Sequence, residues 1–282
     1  MTLTITMNEI AGGVTAPQGF RAAGVPCGLK KQGRDLMLLV ADRACSAAGV
    51  FTQNLVKAAP VIYSAKHVKA GRAQAVVINS GVANACTGEK GMRLCTEMGF
   101  QVAQAVSIPE ELVLVCSTGV IGRHLPMEKI SAGILAAAAE LSEEGGHAAA
   151  EAIMTTDTRP KEIAVEVQTA EGTIRIGGMA KGSGMIAPNM ATMLSVITTD
   201  AQIAPDSLQI ALANVVNRTF NRVTVDGDTS TNDTVLLLAS GTTGIRLTQG
   251  TQGLAEFERG LQLVAESLAK DIARDGEGAT KL

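Results

Sequence analysis

Residues 181–194, KGSGMIAPNMATML, place a lysine, two glycines, a proline and an asparagine ahead of Ala191-Thr192. A threonine hydroxyl is a poor nucleophile until a base takes its proton. A chain can supply that base itself if the threonine becomes N-terminal and its own α-amine serves. Attack of the Thr192 hydroxyl on the Ala191 carbonyl would cut the peptide and free that amine. The attack needs a tightly held backbone upstream, and Gly184, Pro188 and Asn189 turn sharply and hydrogen-bond locally. On spacing alone, a Gly-Pro loop leading into a strand TMLSVITT is the better account.

Other stretches suggest chemistry and then withdraw it. GSGMIA from Gly182 fits a loose dinucleotide-loop pattern, but Pro188 stands where the following helix should run. DGDTSTND from Asp226 is rich in oxygen, yet it has Thr231 where a calcium loop needs its sixth-position glycine, and a hydroxyl-rich turn fits better. His124 has no serine or cysteine motif beside it and reads as a surface or capping residue. The five cysteines form no CxxC pair and the three histidines show no ligand spacing, so no metal and a reducing compartment are expected.

Composition narrows the function classes. The chain is 46% hydrophobic but only 2% aromatic, so its core must be aliphatic. A net charge of -3, with no tryptophan and one tyrosine, argues against a nucleic-acid surface. No apolar run is long enough to span a bilayer, and the first residues lack a basic start followed by an apolar block. A cytoplasmic protein is the expectation.

The elements that must position such chemistry alternate along the chain. AVVINSG from Ala75 and ELVLVCSTG from Glu111 read as buried strands running into glycine turns, and EIAVEVQTAEGTIRIGG reads as a hairpin turning near Glu171-Gly172. Helical spacing appears in MRLCTEMGFQVAQAV, PMEKISAGILAAAAEL and PDSLQIALANVVNRTF. It appears again from Leu254 to Ile272, where Leu254, Phe257, Leu261, Val264, Leu268 and Ile272 share a face. The class is α/β or α+β, with no internal repeat.

Nine blocks in order carry a resemblance over almost the whole chain. They are GGVTAPQGFRAAGV from Gly12, GVFTQN from Gly49, KAAPV from Lys57, ANACTG from Ala83, CSTGVIG from Cys116, IMTTDTRPK from Ile153, GGMAKGSGMIAPNMATML from Gly177, TVDGDTSTND from Thr224 and RDGEGATK from Arg274. Together they resemble the glutamate N-acetyltransferase family, the ornithine acetyltransferases of arginine biosynthesis.

The resemblance implies two β-layers sandwiched between helices, akin to the N-terminal nucleophile hydrolases. It makes Ala191-Thr192 a self-cleavage site, dividing the chain into an α chain (1–191) and a β chain (192–282), and Thr192 the acyl-carrying nucleophile. Thr118 and Gly119 correspond to the oxyanion hole. Thr155, Lys181, Thr192 and Glu277 correspond to substrate-binding positions, Lys181 suited to an α-carboxylate and Glu277 to an ammonium. N-acetylornithine and glutamate are the implied substrates, without metal or bound cofactor, in a heterotetramer of two α and two β chains. Whether acetyl-CoA also serves as donor is not readable.

Two departures from the family pattern stand out. Val82 replaces an amide residue in NSGVAN, which is expected to loosen a turn. Relatives also continue beyond ATKL, so the β chain is expected to be C-terminally truncated and Glu277 to fray unless something packs over it. A related N-terminal-threonine amidohydrolase and a catalytically impaired fragment remain as alternatives.

Overall fold

The computed structural model describes residues 6–185 and 193–279. The chain begins with β1 (Met7–Ile10) and β2 (Phe20–Val25), followed by the long strand β3 (Leu36–Phe51). Next come α1 (Ala59–Val68), β4 (Arg72–Val82), α2 (Gly88–Ala105), β5 (Val113–Val120), α3 (Met127–Ala139) and α4 (Gly146–Ala152). The hairpin β6 (Lys161–Thr169) and β7 (Gly172–Lys181) precedes β8 (Leu194–Thr199), β9 (Gln202–Ile203) and α5 (Pro205–Arg218). The described chain closes with β10 (Thr234–Ala239), β11 (Arg246–Leu247) and α6 (Gln252–Arg274).

Hydrogen-bonded ladders run in the order β1-β6-β7-β8-β10-β3-β4-β5, with β2 also on β3 and a separate small pair of β9 with β11. β3 joins two layers. Its first half, Leu36 to Ala41, pairs with β2, and its second half, Ser46 to Phe51, pairs with β10. The register against β4 shifts between Val40 and Cys45, a bulge that bends the strand from one layer toward the other.

Side-chain alternation then sorts the core into three slabs. Met37, Leu39, Val76, Ile78, Leu114 and Cys116 of one layer meet Met179, Leu194, Val196, Leu236 and Leu238 of the other. The opposite faces of the same strands turn outward. Leu36, Leu38, Val77, Val113 and Val115 pack under α2 and α3, whereas Ile174, Ile176, Ile197, Val235 and Leu237 pack under α5 and α6. The result is the expected arrangement of two β-layers between helices.

The hairpin, the two strands and the four helices expected from sequence all form. The six apolar residues of α6 from Leu254 to Ile272 are buried against the sheet, each a gross gain of roughly 1.5–3 kcal/mol. The helix starts on Thr251, whose hydroxyl accepts from the Leu254 amide. It ends at Asp275. Among the described residues no helix is long and apolar enough to cross a membrane.

The aliphatic composition permits close contacts that rings would block. At Gly24 of β2, an added Cβ would stand 1.9 Å from the Ala148 carbonyl oxygen of α4. Gly24→Ala should therefore force α4 off the sheet and cost about 3 kcal/mol, the upper end of ordinary overpacking. Urea denaturation of the variant beside the parent protein measures this.

Candidate active site

A cleft of about 590 Å³ opens where the ends of β4, β5 and β7 meet the loops around Thr155, Asp226 and Glu277. Thr118, Gly119, Thr155, Lys181 and Glu277 all line it. Ala191 and Thr192 lie outside the described residues, as do Pro188 and Asn189.

β4 and β5 run parallel, setting Ser80 beside Thr118 and Gly81 beside Gly119. Gly119 has φ +127, and a Cβ there would sit 2.3 Å from the Gly81 carbonyl carbon, so only glycine fits. Thr118 is 5% exposed, and its hydroxyl has no hydrogen-bond partner among the described residues. A hydroxyl lining a cleft in this state is available to a ligand. Val82 ends β4. Its side chain is buried under the helices, and the turn is held by Asn79 Nδ2 donating to Val82 O and by Asn84 Nδ2 donating to Gly91 O.

Lys181 ends β7 at 3% exposure. Burial holds its ammonium below the usual lysine pKa, Lys161 adds to that, and Asp157, Asp233 and Glu277 oppose it. No hydrogen bond or ion pair reaches its Nζ among the described residues. An arriving carboxylate would supply the missing counter-charge.

One buried cation links other residues of the cleft. Lys161 Nζ, 1% exposed as a residue, lies 2.6 Å from Asp157 Oδ1 and 2.6 Å from Asp275 Oδ2. Asp157 Oδ2 accepts the Thr155 amide, and its Oδ1 accepts the amide of Gly182, next to Lys181. Burial alone would raise the Asp157 pKa, but Lys181, Lys161 and these hydrogen bonds hold it below the ordinary value. Asp275 caps α6, binds the Thr158 amide and hydroxyl, and stands two residues before Glu277. The Glu277 amide donates to Ser183 O at 2.7 Å, and its carboxylate lies where a Gly184 Cβ would be. Glu277, exposed like Gly278 and Ala279 after it, is thus held to the cleft wall through its backbone amide.

Lys30 was not singled out from sequence, and the stretch from Asp226 to Asp233 was read only as a hydroxyl-rich turn. Lys30 lines the cleft and donates from Nζ to Met154 O at 3.0 Å. It is aimed there because Asp35, fully buried, gathers the Cys27, Leu29 and Lys30 amides. Asp226 and Asp228 also line the cleft, and Asp226 Oδ2 accepts the Met185 amide at 2.5 Å. Asp233 is 1% exposed and accepts the Met193 amide on Oδ1 at 3.0 Å. Burial pushes its carboxyl up to about 8, against weaker pulls from the Met193 amide, Ser230 and Lys181. A cleft lined by both cations, Lys30 and Lys181, and carboxylates, Asp226, Asp228 and Glu277, suits an amino acid carrying both charges. Among the described residues no cluster of His, Cys, Asp or Glu could hold a metal ion, and His124 is exposed as expected.

The family model for the ArgJ family matches residues 21–282. The chain is 56% identical over 280 residues to the arginine biosynthesis bifunctional protein ArgJ of Symbiobacterium thermophilum, covering 98% of this chain and 70% of that one. A crystal structure of ornithine acetyltransferase complexed with ornithine, from Mycobacterium tuberculosis, matches with a TM-score of 0.60 and 42% identity, over 65% of this chain and 98% of that one. The l-aminopeptidase d-ala-esterase/amidase of Ochrobactrum anthropi, a variant of the Ntn hydrolase fold, matches with a TM-score of 0.56 over 94% of this chain and 86% of that one. At 12% identity that last likeness shows the fold alone.

Lys161→Met removes the cation and leaves two carboxylates facing each other. Thermal and urea melts should show a loss of about 3–5 kcal/mol, the cost of stripping one partner from a buried pair. Asp233 has the opposite linkage. Its folded pKa lies above its unfolded value, so its contribution is full below about pH 4 and is lost as pH rises toward 8. Asp157 and Asp275, held low, titrate only below that window. The stability gained by Asp233→Asn over the parent should therefore grow by about 1 kcal/mol or more between pH 5 and pH 8 in urea melts. A difference that stays flat would mean the carboxyl ionises freely in the folded protein.

Proposed function

The chain belongs to the ArgJ family, and from that premise we propose that it moves an acetyl group from N-acetylornithine to glutamate through an acetyl ester on Thr192. The observation that carries the reading is the convergence of Thr118, Gly119, Thr155, Lys181 and Glu277 on one cleft, although they are spread from residue 118 to residue 277. Met193, the residue bonded to Thr192, directly precedes β8 and donates its amide to Asp233, next to the cleft residue Asn232.

In this reading the Thr192 hydroxyl first attacks the Ala191 carbonyl. The peptide shifts to an ester, and water opens it, leaving a carboxylate on Ala191 and a free amine on Thr192. For transfer, that amine takes the hydroxyl proton as Oγ attacks the acetyl carbonyl of N-acetylornithine. The Thr118 hydroxyl and the Gly119 amide stabilise the oxyanion, the C–N bond breaks, and ornithine leaves with the proton. The glutamate amine then attacks the ester, the C–O bond breaks, and Thr192 regains its proton. Lys181 holds the α-carboxylate of either amino acid, Glu277 an ammonium, and Thr155 adds a polar contact. Binding both substrates in turn at one site is the economy of a ping-pong cycle.

The extents of the matches support the cut. The mycobacterial chain is covered over 98% of its length while spanning 65% of this one, and residues 1–191 are 191/282 of this chain, about 68%. That structure's bound ornithine supports an ornithine-type substrate here. A heterotetramer of two α and two β chains, a cytoplasmic setting and an acetyl-CoA-dependent glutamate acetylation belong to the same proposal.

Intact mass should show two chains, 1–191 and 192–282, in the parent protein and one uncut chain in Thr192→Ala. Thr118→Ala should fold normally and transfer acetyl roughly a hundredfold more slowly. Acetyl-enzyme that passes its acetyl group to water rather than to added glutamate would make the protein an amidohydrolase instead.

A further inference from the structure

The loop Thr224 to Asp233 ends in two consecutive buried side chains that the proposed chemistry leaves unused. Asn232, 7% exposed, donates from Nδ2 to Ala83 O at 2.7 Å and to Ser117 O at 2.8 Å. The Thr231 hydroxyl donates to its Oδ1 at 2.6 Å, which fixes the amide's orientation. Asp233, 1% exposed, holds the Met193 amide on Oδ1, while its Oδ2 has no hydrogen-bond partner among the described residues. The two side chains thus reach opposite ways, one to the β4–β5 layer and one to the start of β8.

The partners are adjacent to the reacting groups. Ser117 directly precedes Thr118, and Met193 directly follows Thr192. We propose that Asn232 and Asp233 are positioning residues that together set the separation between the Thr192 nucleophile and the Thr118–Gly119 oxyanion donors. This rests on the roles given to Thr192 and Thr118 above.

The local chemistry fits a gauge better than a plain strand contact. β10 already secures β8 by backbone pairing from Thr234 onward, and the Thr234 amide donates to Met193 O. The side-chain bonds are therefore additional to the ladder and fall where the ladder stops. Burial pushes the Asp233 carboxyl up to about 8, and an asparagine Oδ1 can accept the Met193 amide as the carboxyl Oδ1 does. A displacement near 1 Å between reacting groups costs about a hundredfold in rate, so the effect should fall on kcat rather than on substrate binding.

The test uses the full chain and follows self-cleavage by mass, with kcat and KM for acetyl transfer from N-acetylornithine to glutamate. Asn232→Ala and Asp233→Ala should each slow cleavage and lower kcat about a hundredfold, with KM within about threefold. The double variant should lose little more than either single, because both act on one distance. Asp233→Asn should restore kcat to within about threefold of the parent. If the alanine variants do not fold, Asn232→Asp keeps the shape but not the two donations and should show the same kcat loss.

Folded variants with parental kcat, losses that multiply in the double variant, or a rise confined to KM would each overturn the pair's role. Thr192→Ala separates this from the underlying reading. If Thr192→Ala is uncut and inactive while the pair's variants are unaffected, only the pair's role falls. Activity retained by Thr192→Ala overturns both.

Discussion

The cleft depends on one ammonium with no route to water. Lys161 Nζ lies between carboxylates drawn from a loop four residues before it and from a helix end more than a hundred residues beyond it. Removing such a charge from water is expensive, and a buried pair rarely stabilises a fold more than well-packed apolar groups would. Its return is geometric. Through Asp157 it fixes Thr155 and the amide beside Lys181, and through Asp275 it brings the segment carrying Glu277 to the same wall. Three cleft residues from separate parts of the chain share one electrostatic anchor.

The sandwich makes this anchoring possible because its layers are thin and aliphatic. Every strand near the cleft turns one face to the central slab and the other to helices. The strand ends are then the only places where polar groups can collect without disturbing the core. Glycine at 81 and 119 lets β4 and β5 end in close contact, which leaves the Thr118 hydroxyl at the cleft surface.

Much of this was legible in the sequence. The hairpin, the strands around Val76 and Val115 and the four long helices have local periods, and a local period survives whatever the chain packs against. β3 was not legible, because its apolar pattern changes face at the bulge after Val40 as it moves from one partner to the next. α1, opening on Ala59-Pro60, is short and lacks a clear apolar stripe. Thr118, Gly119, Thr155, Lys181 and Glu277 were read from family resemblance and do meet in one cleft. Lys161, Asn232 and Asp233 look like ordinary surface residues in the sequence, since their meaning lies in partners 114, 115 and 40 positions away. The contact of the Glu277 amide with Ser183 O was hidden in the same way, as the two lie far apart in sequence.

The strand order carries one more consequence. β8 and β10, from the segment after residue 192, lie between β7 and β3, from the segment before it. Once the proposed cut is made, the two pieces remain interleaved through ladders on both sides. Folding of the uncut chain is a unimolecular search, whereas recovery after the cut would need two separate molecules to find each other. The scission then acts as a ratchet: assembly precedes it, and at cellular dilution a molecule that later unfolds has no equally fast way back. The lifetime of the cut enzyme would be governed by its unfolding barrier more than by its equilibrium stability.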